Sequence, residues 1–153
     1  MKIRVIWTGK TRNRDLAAVL TAYRERIGHF VGLEIIELKE PRTADDTKRI
    51  FEEGERILRR VASTDYVVAL DDGGKSETSE ALARLIDGRM KDGQQDLVFV
   101  VGGPAGLSIA LKERANLKLS LSRLTFSHDL ARTVLLEQIY RSLTIIRNLP
   151  YAR

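Results

Sequence analysis

Leu97-Val98-Phe99-Val100-Val101-Gly102-Gly103-Pro104-Ala105-Gly106 is the stretch on which the fold turns. Five consecutive apolar residues with no polar interruption describe a strand buried on both faces, and the glycine pair behind them makes a tight turn. Similar short runs occupy residues 2–8, 33–38 and 66–70, with a weaker fifth at 118–122. Between them the apolar period changes to that of a helix. Leu16, Val19, Leu20, Tyr23 and Ile27 follow Asn13 as cap; Ile50, Ile57, Leu58 and Val61 follow Thr43; Leu82, Leu85, Ile86 and Met90 follow Ser76 or Ser79. A short helix is expected over 107–115. The last runs over 129–146 with Val134, Leu135, Ile139, Leu143 and Ile146 inward. Strict alternation of this kind implies an α/β fold, a mostly parallel sheet with helices on both faces, and ligands at the carboxyl ends of the strands.

The 153 residues are enough for one hydrophobic core, so a single domain over 1–153 is expected. Hydrophobic residues make up 43% and charged residues 31%, which excludes a disordered chain, and no apolar run approaches the roughly 18 residues of a membrane span. Cysteine is absent, which excludes disulfides, thiolate metal sites and a cysteine nucleophile. With only His29 and His128, no metal cluster is expected. The opening residues Met1 to Gly9 hold too short an apolar stretch for a signal peptide and read as a strand, so a cytoplasmic protein is expected.

The net charge of +5 is unevenly spread. Residues 1–60 carry 14 basic and 10 acidic side chains, residues 61–110 carry 4 and 8, and residues 111–153 carry 8 and 3. Basic ends around an acidic middle suit a polyanion such as RNA, although charge of this size is also ordinary solubility charge.

Three loops stand at strand ends. Asp71-Asp72-Gly73-Gly74-Lys75-Ser76 ends like a P-loop, but the glycine that pattern needs five residues before Gly74 is Ala69, and two carboxylates would meet the phosphates. Gly102-Gly103-Pro104-Ala105-Gly106 sits where a dinucleotide loop would sit, yet its glycines are adjacent and Pro104 removes a donor. It suits close approach of backbone to a flat uncharged group such as adenine, or a turn with no ligand. The third, Ser122-Arg123-Leu124-Thr125-Phe126-Ser127-His128, is rich in hydroxyls that serve equally as caps or as ligand contacts. Glu137 and Arg141, four apart, read as a solvated helix pair.

Leu70-Asp71, Val100 through Leu107, Ser120 through His128, Glu137-Gln138-Ile139-Tyr140-Arg141 and Pro150-Tyr151, in that order and across the whole chain, resemble the RlmH family, ribosomal RNA large-subunit methyltransferases of the SPOUT class. The resemblance implies a SPOUT fold whose C-terminal part forms a deep trefoil knot around the cofactor pocket. Threaded chains are rare, and alternation alone gives an unknotted sheet. The resemblance further implies a homodimer that transfers a methyl group from S-adenosylmethionine to N3 of a pseudouridine in 23S rRNA. Cofactor residues carry over to Leu70, Gly103, Ser122, Arg123, Leu124, Thr125, Phe126 and Ser127. His128 is the candidate base for the departing N3 proton, because it adjoins the cofactor run and an imidazole titrates near neutral pH. Loss of that proton to water, with Arg132 or Arg141 stabilising the anion, is the alternative. Arg141, Tyr151 and Arg153 are the candidate substrate contacts. Three positions depart from the family: Ala105 where it commonly has Glu, Ser127 where it often has Pro, and Ala152 where it usually has His. The first and last keep open a protein of this fold that binds RNA or the ribosome without methyl transfer. A nucleotide-binding Rossmann-like domain rests on Gly102 and Gly103 alone.

Overall fold

The uninterrupted apolar run forms β4 (Leu97–Val101), which is buried at all five positions and lies at the centre of a five-stranded parallel sheet. The structure is a computed structural model and describes residues 1–151. The strands β1 (Ile3–Thr8), β2 (Leu33–Leu38), β3 (Tyr66–Ser76), β4 and β5 (Leu117–Ser120) take the order β2-β1-β4-β3-β5. The helices are α1 (Arg14–Gly28), α2 (Asp46–Leu58), α3 (Ser79–Asp92), α4 (Ile109–Arg114) and α5 (His128–Ile146).

Strand side chains alternate between faces, and the core divides accordingly. Val5, Trp7, Val68, Leu97, Phe99 and Val101 face one side, where Leu20 and Ile27 of α1, Leu82 and Ile86 of α3, and Leu135, Leu136, Ile139 and Leu143 of α5 cover them. Ile6, Val67, Val98 and Val100 face the other, under Ile57 of α2 and Leu111 of α4. Three helices therefore cover one face and two the other, which explains why the central strands read as uninterrupted apolar runs.

Two expectations change. β3 continues past Leu70 to Ser76, and Leu119 of β5 is paired with both Leu70 and Lys75, so residues 71–74 bulge out of the ladder. A Cβ on Gly74 would lie 2.7 Å from the backbone of Lys118, which is why the returning strand carries glycine there. Capping also differs. Asp45 rather than Thr43 caps α2, its carboxylate accepting from the Lys48 N–H at 3.1 Å, and Thr78 rather than Ser76 or Ser79 caps α3. Asn13 caps α1 as expected, and Ser127 caps α5, which begins at His128, one residue ahead of the expected start.

Candidate functional site

At the carboxyl ends of β3, β4 and β5 the three loops enclose a cleft of about 220 Å³. Leu70, Asp71 and Asp72 come from the β3 excursion, Gly102, Gly103, Pro104, Gly106 and Leu107 from the loop after β4, and Leu121, Ser122, Leu124, Thr125, Phe126 and His128 from the segment after β5. Burial of β4 fixes where the glycine loop begins, and the cap at Ser127 fixes where the last segment ends. Within that segment Ser120 Oγ donates to the Ser122 carbonyl at 3.0 Å, and Ser122 Oγ accepts from the Leu124 N–H at 2.9 Å. These hydroxyls hold the turn, as sequence alone allowed. The loop after β4 is closed by the Gly106 N–H donating to the Gly103 carbonyl at 3.0 Å, with Gly106 at φ +93°.

The walls are chiefly apolar, from Leu70, Val101, Leu107, Leu119, Leu121 and Phe126, with Asp71 and Asp72 at one side. Lys112 of α4 reaches Asp71 at 3.8 Å. Such a cleft can hold a flat apolar ring and a positive charge. Among the described residues there is no cluster of three or more His, Asp or Glu able to hold a metal ion, and no helix is long and apolar enough to cross a membrane.

Of the positions singled out from sequence, Leu70, Gly103, Ser122, Leu124, Thr125, Phe126 and His128 line the cleft. Arg123 is exposed beside it, and Ser127 serves as the α5 cap, its Oγ accepting from the Leu130 N–H. Arg132 does not reach the cleft. It is 4% exposed, and its guanidinium donates to the Thr8 carbonyl at 2.7 Å and to Thr11 Oγ1 at 3.1 Å while lying 4.8 Å over the Trp7 ring. Burial lowers its pKa, opposed by Asp129, Glu37 and Glu40. Its fork is spent on fixing the end of β1. Beside it Asp129 accepts from the backbone N–H groups of Arg12 and Asn13 at 3.2 and 2.9 Å, so the first turn of α5 is fastened to the loop after β1. Sequence reading missed this tie; the only signal was an acid in a helix first turn, whose ordinary role is toward the helix dipole.

Arg141 and Tyr151 lie elsewhere again. Arg141 donates from Nε and Nη2 to Glu137 Oε1 at 2.9 and 2.6 Å, which raises its pKa, and stands 5.1 Å over the Tyr151 ring. The Tyr151 hydroxyl lies 3.0 Å from that of Tyr23 and 3.1 Å from Glu137 Oε1, and its pKa is raised by burial, then by those hydrogen bonds and the Glu137 charge. The i, i+4 pair expected to be solvated is thus the half-buried floor of an aromatic cluster with Tyr140. Arg153 and Ala152 lie outside the described residues.

A family model described as "Predicted SPOUT methyltransferase" matches residues 1–152. The chain is 40% identical over 154 residues to a protein of Christiangramia forsetii named ribosomal RNA large subunit methyltransferase H, covering 99% of this chain and 98% of that one. A protein of the same name from Natranaerobius thermophilus is 40% identical over 157 residues, covering 99% of each. Among solved structures, a probable methylase family protein from Haemophilus influenzae superposes with a TM-score of 0.55 at 9% identity, covering 99% of this chain and 70% of that one; at that identity the likeness concerns the fold.

Proposed function

The chain belongs to the SPOUT methyltransferase family, within the group of ribosomal RNA large subunit methyltransferase H proteins, and on that premise we propose that it methylates N3 of a pseudouridine in 23S rRNA. S-adenosylmethionine supplies the methyl group as an electrophilic sulfonium. We take residues 1–153 as one such domain in the cytoplasm, with the trefoil knot of the resemblance formed by the segments that wall the cleft.

The observation that carries this reading is the gathering of Leu70, Gly103, Ser122, Leu124, Thr125 and Phe126 around one cleft with His128 in its wall. Those side chains suit the donor. Apolar surface from Leu70, Leu121 and Phe126 would hold an adenine, backbone groups of 122–127 would read its edge, and Asp71 and Asp72 favour a cation. The chain's own work is then to hold donor and nitrogen in line, exclude water, and receive the proton that the nitrogen loses. We propose that His128, in the cleft wall, takes it. Arg132, committed to Thr8 and Thr11, keeps α5 and β1 in register rather than facing the cleft.

Distance supports the proposal of a homodimer. Arg141 lies 13 residues beyond His128 on α5, about 20 Å at the helical rise. One nucleotide cannot span both within a single subunit, whereas a second copy could bring its Arg141 and Tyr151 to the first copy's His128. Val19, Leu130 and Leu149 are exposed apolar residues of α1, α5 and the tail available to such an interface.

The test is incubation with methyl-labelled S-adenosylmethionine and ribosomes lacking the modification, followed by mass mapping of the rRNA. One methyl on a 23S pseudouridine is expected. Saturable cofactor binding with no label in the large-subunit RNA would overturn the enzymatic reading and leave an RNA-binding protein of the same fold.

A further inference from the structure

Glu53 of α2 is 4% exposed and lies between Arg49 and Arg56 on its own helix. A carboxylate held so nearly out of water is costly, and its retention calls for a reason. Its surroundings give one. A Cβ placed on Gly103 would lie 2.7 Å from Glu53 Oε2 and 3.1 Å from Oε1, so the carboxylate occupies the space left by the missing side chain. Gly103 also lines the cleft. The backbone of Gly103 thus lies between this carboxylate and the ligand space.

The charged groups around Glu53 answer its charge only in part. Arg49 and Arg56 flank it on α2, but Arg49 donates to the Thr43 carbonyl at 3.1 Å and Arg56 to the Lys39 carbonyl at 2.6 Å. Glu40, from the segment before α2, adds a like charge. Burial raises the Glu53 pKa, Arg49 and Arg56 oppose the shift, and Glu40 reinforces it. Within the cleft itself Asp71 has Lys112 at 3.8 Å, so part of its charge is already answered.

We propose that Glu53 is a specificity-determining residue of the cleft: acting through the glycine wall at Gly103, its carboxylate favours the positively charged methyl donor over the uncharged thioether that remains after transfer. The inference rests on the S-adenosylmethionine reading above. Donor and product differ by one methyl group and one positive charge, so the apolar walls treat them nearly alike, and charge is the feature on which they can be told apart. A carboxylate held away from water is screened less by solvent and salt than one at the surface. Charge complementarity of this kind contributes selectivity. It also assists product exit, because the attraction vanishes when the methyl group leaves.

Glu53→Gln keeps the shape and removes the charge. Calorimetric titration of wild type and variant with S-adenosylmethionine and with S-adenosylhomocysteine should show donor affinity about tenfold weaker in the variant, about 1.4 kcal/mol, with thioether affinity unchanged within about twofold. An unchanged ratio of the two affinities, or equal weakening of both, overturns the proposal and makes Glu53 merely structural. A second measurement needs no variant. In wild type at acidic pH, donor binding should release a proton, seen by titrating in buffers of different ionisation enthalpy, whereas thioether binding should not. Equal proton release by both ligands also overturns it. Failure of wild type to bind either ligand defeats the cofactor reading itself, an outcome distinct from an unchanged ratio.

Discussion

His128 is half-buried in the cleft wall and is the first residue of α5. If it receives the N3 proton, His128→Ala should slow single-turnover methyl transfer by about 10²- to 10⁴-fold with S-adenosylmethionine affinity little changed. A near-normal rate at neutral pH removes it as the base. Glu53 makes a prediction about stability as well. Its folded carboxyl pKa lies above the ordinary 4.5, so the folded state holds the proton more tightly than the unfolded state does. The stability this provides is full below the ordinary value and is lost as pH rises through the folded one. Glu53→Gln removes that slope. Relative to wild type the variant should gain in melting temperature as pH rises from 4 to 7, by roughly 2–4 °C per kcal/mol for a chain of this size. A gap between the two melting curves that does not change with pH would defeat this.

At the scale of elements, the start of α5 is held to β1 by Arg132 and to the following loop by Asp129. Arg132→Leu removes donors to Thr8 and Thr11 and the stacking on Trp7, and should cost about 2–4 kcal/mol. Lysine at that position restores the charge but not the two-pronged geometry, and should recover only part of the loss in a denaturant titration. A melting midpoint unchanged by the leucine variant would show that the clamp contributes nothing. Elements were legible because buried parallel strands write continuous apolar runs and a cap writes Asn13 into the chain. The β3 excursion was not legible. Asp71 to Gly74 carry turn residues whether the strand stops there or resumes, and resumption depends on Leu119, more than forty residues away. For the same reason the cleft residues after β5 could be named from sequence, while Glu53 could not: it looks like any acid on a charged helix until Gly103 is placed against it.

For the whole molecule, the uneven charge of the chain takes on a spatial form. The acidic middle supplies Asp71 and Asp72 to the cleft, while Lys10, Arg12 and Arg14 are exposed around the loop after β1, with Arg12 3.6 Å from Glu40. RNA affinity should fall steeply with salt, and replacing Lys10 and Arg14 by alanine should reduce the slope of log affinity against log salt by about one for each phosphate no longer neutralised. Cofactor affinity in the same variants should hold. An unchanged salt slope would place the RNA on another surface.

The Asp129 tie joins residues 117 and 116 positions apart in the chain. During synthesis the loop at 10–13 therefore leaves the ribosome well before the residue that fastens it, by about 6 to 23 s at roughly 5–20 residues per second. A loop made early is thus fixed late. Nascent chains arrested before residue 129 should leave this loop open to protease, and chains arrested after α5 has emerged should protect it.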